Sequence, residues 1–297
     1  MNKHDPEWAR QSVSDAISNL RFLRNLKLIF PESVYYLPMN GLHLDRICNL
    51  ENISVFGTCL DYHSLIVSEV AEAIAKSPLL AQLELDYPWG FSPPLDNFLE
   101  KRPPDMRSLS LSHVVIADVR YFFRVKPRLH ALRSLELTNT APSTRHLKFL
   151  VERRTVMTKF YKTLAHERTF LSRIVIDDVF PVFLDYLSLY SGILTEISIL
   201  YLYKPVPWED LDELAVRFYA SILPKHIGSL EVLDISPMFT CKWCFHPKEY
   251  LLFSKAKHLR SLSVSFAFAH SANADPNLDH TLGDTVRDHY LVCDISY

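Results

Sequence analysis

Leu132-Arg133-Ser134-Leu135-Glu136-Leu137 reads L-x-x-L-x-L, and Asn139 follows just before a helix-like segment. Alone, this is one short strand with an apolar and a polar face, since side chains alternate along extended backbone. It does not stand alone. With Ile, Val or Met admitted to the apolar slots, the pattern begins again at Leu23, Leu50, Leu80, Met106, Leu171, Leu194, Leu230 and Leu259. Successive starts lie 23 to 39 residues apart. A unit of that size cannot bury its apolar face by itself, so neighbouring units must stack.

Helical patterns fill the intervals. Asp5 or Ser12 starts a helix that ends near Leu20. Tyr62 to Lys76 sets Ile66, Val70 and Ile74 on one face. Pro93-Pro94 precedes a shorter helix, Leu95 to Glu100, which Pro103-Pro104 stops. Ser143 or Thr144 opens the longest helix; its stripe runs from Leu147 through Met157, Phe160 and Leu164 to about His166 and accounts for the widest gap. Phe183, Leu184 and Leu187 mark another short helix. Pro207 and the acidic turn Glu209 to Glu213 begin one with the stripe Leu211, Leu214, Phe218 and Ile222, stopped by Pro224. Tyr250, Leu251 and Ser254 continue the alternation.

Strand, turn, helix and turn at this spacing predict an α/β solenoid. The leucines at motif positions 1, 4 and 6 point inward, a parallel sheet forms the concave side, and helices cover the outside. The competing architecture is a doubly wound sheet, which wants wholly apolar strands and a Gly-rich turn after the first. These strands alternate, and Leu28-Ile29-Phe30-Pro31 offers no such turn. The whole chain, 1–297, reads as a single domain: an N-terminal capping helix in 1–20, repeats over 23–265 and a C-terminal cap in 266–297.

Bulk properties narrow the function classes. A net charge of -2 exerts no global pull on nucleic acid or anionic membrane. Only 6 glycines argue against Gly-rich phosphate loops, while 18 prolines suit short punctuated turns. The polar start Met1 to Glu7 lacks a secretory apolar core. No apolar run approaches the roughly 18–20 residues that span a bilayer. Cys48, Cys59, Cys241, Cys244 and Cys293 form an odd, sparse set, so a cytoplasmic or nuclear setting is expected.

The nine matches resemble leucine-rich-repeat proteins, and the irregular, aromatic connectors are similar to the F-box/leucine-rich-repeat set of basidiomycete fungi. Leu132 to Leu137, Leu259 to Val264 and Trp243-Cys244-Phe245 carry that likeness. It implies an irregular horseshoe with a parallel concave sheet and outer helices. It further implies the substrate receptor of a ubiquitin ligase, with the ligase adaptor as a partner. The family's F-box, opening on a Leu-Pro pair and an acidic residue, is not visible, and residues 1–20 are too short to hold it.

Catalytic motifs are missing from the sequence. His166-Glu167-Arg168-Thr169-Phe170 begins like a zinc-protease helix, but Phe170 stands where the second histidine must be. No nucleophile elbow, P-loop or dinucleotide fingerprint occurs. The chain therefore reads as non-enzymatic, with no cofactor. Cys241-Lys242-Trp243-Cys244-Phe245-His246 can grip zinc through two thiolates, yet a closed site needs two further ligands and no second C-x-x-C exists. The basic long helix and the acidic turn Glu209 to Glu213 are accounted for by a solvated face and a helix dipole.

Recognition is expected on the sheet face turned from the core, at motif positions 3, 5 and the residue after 6. Its charged members are Lys27 and Arg173 against Glu84, Asp86, Glu136, Asp177, Glu196 and Asp234, with serines such as Ser110 between. That face should be mildly acidic and favour a basic or mixed protein surface. Tyr87, Trp89, Tyr201 and Trp243 lie in turns after strands. They are interface anchors or they pack on the next repeat; both roles fit.

Overall fold

The computed structural model describes residues 7–20, 22–30, 42–57, 63–87, 93–99, 106–114, 116, 130–138, 147–200, 208–237, 241–245 and 250–265. The expected cap at 266–297 lies outside the described residues.

Each motif becomes a strand that begins at its third residue, where β-compatible alternation starts. The strands are β1 (Asn25–Ile29), β2 (Asn52–Phe56), β3 (Gln82–Asp86), β4 (Ser108–Ser112), β5 (Ser134–Thr138), β6 (Arg173–Ile176), β7 (Glu196–Leu200), β8 (Val232–Ser236) and β9 (Ser261–Val264). They form one nine-stranded, all-parallel open sheet in the order β1 to β9. A doubly wound sheet reverses its strand order at a switch point; this one never does. The register across the widest gap pairs Ser134 with Arg173 and Glu136 with Val175, as the motif frame requires.

Backbone hydrogen bonds explain how connectors of unequal length keep one register. The carbonyl of Arg24, the second motif residue, accepts from Glu51 N–H at 2.7 Å and Asn52 N–H at 3.0 Å. The carbonyls of Glu51, Ala81, Arg107, Arg133, Ser172, Thr195 and Glu231 repeat this paired acceptance from the following repeat.

Inward strand residues and helix stripes share one apolar cluster. The described helices that share this cluster therefore lie on one face of the sheet. The first motif residue is buried in the seven inner repeats, whereas Leu23 and Leu259, at the two ends, are only partly buried. The helix His63–Ala75 buries Ile66, Val70 and Ile74, and Leu147–His166 buries Met157, Phe160 and Leu164. On the latter, Arg154, Lys159 and Lys162 are exposed.

Two elements depart from the sequence reading. Pro224 does not end its helix. After Trp208–Arg217 the backbone widens into a π-helical turn, Phe218–Ile222, and then resumes as Leu223–His226. Pro224 sits in the first turn of the resumed segment, directly after the π-helical turn. The second departure is a 3-10 turn, Leu44–Arg46, in a stretch without periodicity. Leu42, Leu44 and Ile47 pack into the core there. His43 adopts φ 54° ahead of the turn. The Glu69 carboxylate accepts from Leu42 N–H at 3.0 Å and His43 N–H at 3.2 Å, and its burial pushes its pKa up.

The resumed helix also places His226, 1% exposed, against the ring of Tyr190. Its Nε2–H donates to the Leu187 carbonyl at 3.0 Å, while Nδ1 has no hydrogen-bond partner. Burial lowers the pKa below the ordinary 6.5. The unfolded chain thus takes up this proton first on acidification. The stability from a neutral His226 is complete above about pH 6.5 and is lost as pH falls toward the lowered folded value. Urea midpoints should drop across that window in the native chain and drop less in His226→Phe; equal slopes would refute the assignment.

Candidate interaction surface

The face opposite the helices is built in rows, because parallel strands in register set equivalent residues side by side. The central row, in order from β1, is Lys27, Ser54, Glu84, Ser110, Glu136, Val175, Ser198, Asp234 and Ser263. Short hydroxyls and carboxylates dominate it, and Glu84, Ser110, Glu136 and Asp234 are half-buried rather than sealed.

Its charge is not evenly spread. Arg173 Nη1 lies 3.0 Å from Glu136 Oε2, and Arg173 Nε lies 3.0 Å from Glu196 Oε1. One guanidinium thus ties β5, β6 and β7 together and offsets the charge of one of the two carboxylates it bridges. Beside it, Val175 and Ser198 are buried although they belong to the open face. The middle of the face is therefore more closed than its flanks and, with one cation against two bridged carboxylates, still net negative. Asp177 is half-buried just past β6.

Further negative charge lies on either side. On β3, Glu84 accepts from the Ser54 hydroxyl at 2.8 Å, and Asp86 lies 3.6 Å from His113 Nδ1. On β8, Asp234 accepts from the Ser236 hydroxyl. Among the described residues no lysine or arginine pairs with Glu84 or Asp234. At the β1 end, the Lys27 ammonium stands 4.8 Å from the centroid of the Phe56 ring, beside exposed Ile29.

No protein-family model matches the chain, and no curated protein is significantly similar to it.

Two of the expected aromatic anchors are core residues. Tyr87 is 1% exposed, tilted against Phe98 at 5.9 Å, and burial pushes its hydroxyl pKa up. Trp243 is also 1% exposed, with its ring 5.3 Å from Phe218 and its Nε1–H donated to the Leu211 carbonyl at 3.0 Å. Packing on a neighbouring repeat is thus the role of both. Trp89 and Tyr201 lie outside the described residues. Among the described residues no group of three or more His, Cys, Asp or Glu side chains is placed to hold a metal ion, and no helix is long and apolar enough to cross a membrane. His246 lies outside them.

The Arg173 bridge was readable in principle. Once the register is drawn, Arg173 stands directly beside Glu196 and one row from Glu136. Treating each strand's charges separately hides that pairing.

Proposed function

We propose that this chain is a non-enzymatic protein–protein interaction module of leucine-rich-repeat type. Under that architecture the open face is the concave one, and it meets a partner with a basic or mixed surface. The observation that carries this reading is the in-register polar face, left uncovered by any described helix and bearing Glu84 and Asp86 at one side and Asp234 at the other. Cationic side chains suit such a face, and electrostatic complementarity sets the choice and the speed of association.

The test is charge reversal at Glu84, Asp86 and Asp234 together. Their side chains are half-exposed, so circular dichroism should stay native. Saturable, salt-sensitive binding of the partner should weaken by at least about tenfold, the equivalent of ~1.4 kcal/mol. Unchanged binding by a natively folded triple variant would remove the open face from the proposal.

A second reading rests on the family resemblance alone. In that reading the chain is the substrate-recognition part of a ubiquitin-ligase receptor. Co-purification with the ligase adaptor of a gene product extended upstream by an F-box supports it; an authentic start at Met1 together with no adaptor binding removes it.

A further inference from the structure

Cys241 and Cys244 occupy one tight turn between β8 and the helix Tyr250–Phe253. The Cys244 N–H donates to the Cys241 carbonyl at 2.9 Å. Such a turn brings its first and fourth Cα atoms within about 7 Å, and a disulfide spans Cα separations of roughly 4.4–6.8 Å. The two thiols are close enough for Cys244 to raise the pKa of Cys241. Cys241 is half-buried, and Cys244 is buried beneath it. Cys48 precedes β2, at the far end of the sheet.

The turn is held from both sides. Trp243 Nε1–H donates to Leu211, the Tyr219 hydroxyl donates to the Trp243 carbonyl at 2.8 Å, and Lys242 N–H donates to Asp212 Oδ1 at 3.2 Å. On the other side the Phe245 N–H donates to the Ser265 carbonyl at 2.7 Å. The backbone that carries the two sulfurs is therefore clamped on both sides of the turn.

We infer that Cys241 and Cys244 form a reversible intramolecular disulfide by exchange with a small-molecule disulfide such as oxidised glutathione, and that the bond locks the turn joining the Trp208–Arg217 helix to the end of β9. The deprotonated Cys241 sulfur attacks one glutathione sulfur and expels the other as a thiolate. The deprotonated Cys244 sulfur then attacks the Cys241 sulfur, breaks the mixed disulfide and expels the second thiolate. Two protein thiols are oxidised, one glutathione disulfide is reduced to two thiols, and both protons pass to solvent and the leaving thiolates. The neighbouring Cys244 thiol, together with burial, holds the Cys241 thiol well above its ordinary pKa. Thiolate is then scarce at neutral pH, so exchange is slow there and accelerates as pH rises.

The full chain is equilibrated in glutathione buffers from fully reduced to strongly oxidised at mildly alkaline pH, alkylated and digested with trypsin. Lys242 lies between the two cysteines, so cleavage after it separates them in the reduced protein. In the oxidised protein the fragment ending at Lys242 and the one beginning at Trp243 should stay joined until a reductant is added. Cys244→Ser should trap glutathione on Cys241, and Cys241→Ser should leave Cys244 unmodified. Three outcomes overturn the inference: stable glutathionylation of Cys241 in the native chain, two free thiols at the oxidising limit, or pairing of either residue with Cys48, Cys59 or Cys293. The readout on the native chain stands even if a variant fails to fold.

Discussion

Replacing Trp243 with alanine is expected to lower the unfolding free energy by about 3–5 kcal/mol, the range for removing a buried large aromatic side chain. The indole packs on Phe218 and Tyr219 and satisfies the Leu211 carbonyl. Its loss leaves a cavity beside the π-helical turn and a buried acceptor without its donor, two penalties that act together. Urea unfolding followed by far-ultraviolet circular dichroism measures the effect. An exposed interface anchor behaves in the opposite way: truncation leaves stability within about 0.5 kcal/mol and costs only binding. The experiment therefore separates the two roles a turn tryptophan can play. A near-neutral Trp243→Ala would return this residue to the interaction surface.

Leu135→Ala should cost about 2–5 kcal/mol. Leu135 is fully buried on β5, level with Leu109 on one side and Ile174 on the other. Each strand pairs only with its sequence neighbours, so damage at the central strand weakens the coupling between the two ends. Unfolding should then lose its single transition and show a shallower denaturant slope. Glu136→Ala, one residue on, removes a partly exposed carboxylate whose ion pair with Arg173 is worth no more than about 1 kcal/mol. A stability loss for Glu136→Ala equal to that of Leu135→Ala would contradict the division of this strand into a core side and a solvent side.

The strands and their register were legible because the same six-residue phrase occurs nine times, and a slip of one residue anywhere would turn leucines to water. Helix stripes such as Ile66, Val70 and Ile74 were legible for the same reason of period. What escaped depends on partners distant in sequence. The indole of Trp243 is covered by a helix some 30 residues earlier, and no local pattern announces that meeting. The continuation past Pro224 depends on one extra residue in a helical turn, a change that hydrophobic spacing barely registers. Arg173 was counted among the cations of the open face, but its bridging of two strands at once shows only when the strands are laid side by side. Glu84 and Asp234 keep their expected place on that face.

The paired acceptance by each second-residue carbonyl has a consequence for how the chain tolerates change. Alignment of one strand on the next is renewed at every repeat by two short amide contacts, whether 23 or 39 residues intervene. Length differences in a connector are absorbed where they arise and are not passed down the sheet. A foreign segment spliced between β5 and the helix Leu147–His166 would leave Glu136 facing Val175. The connectors are thus the natural place for this molecule to acquire new surface without redrawing the old one.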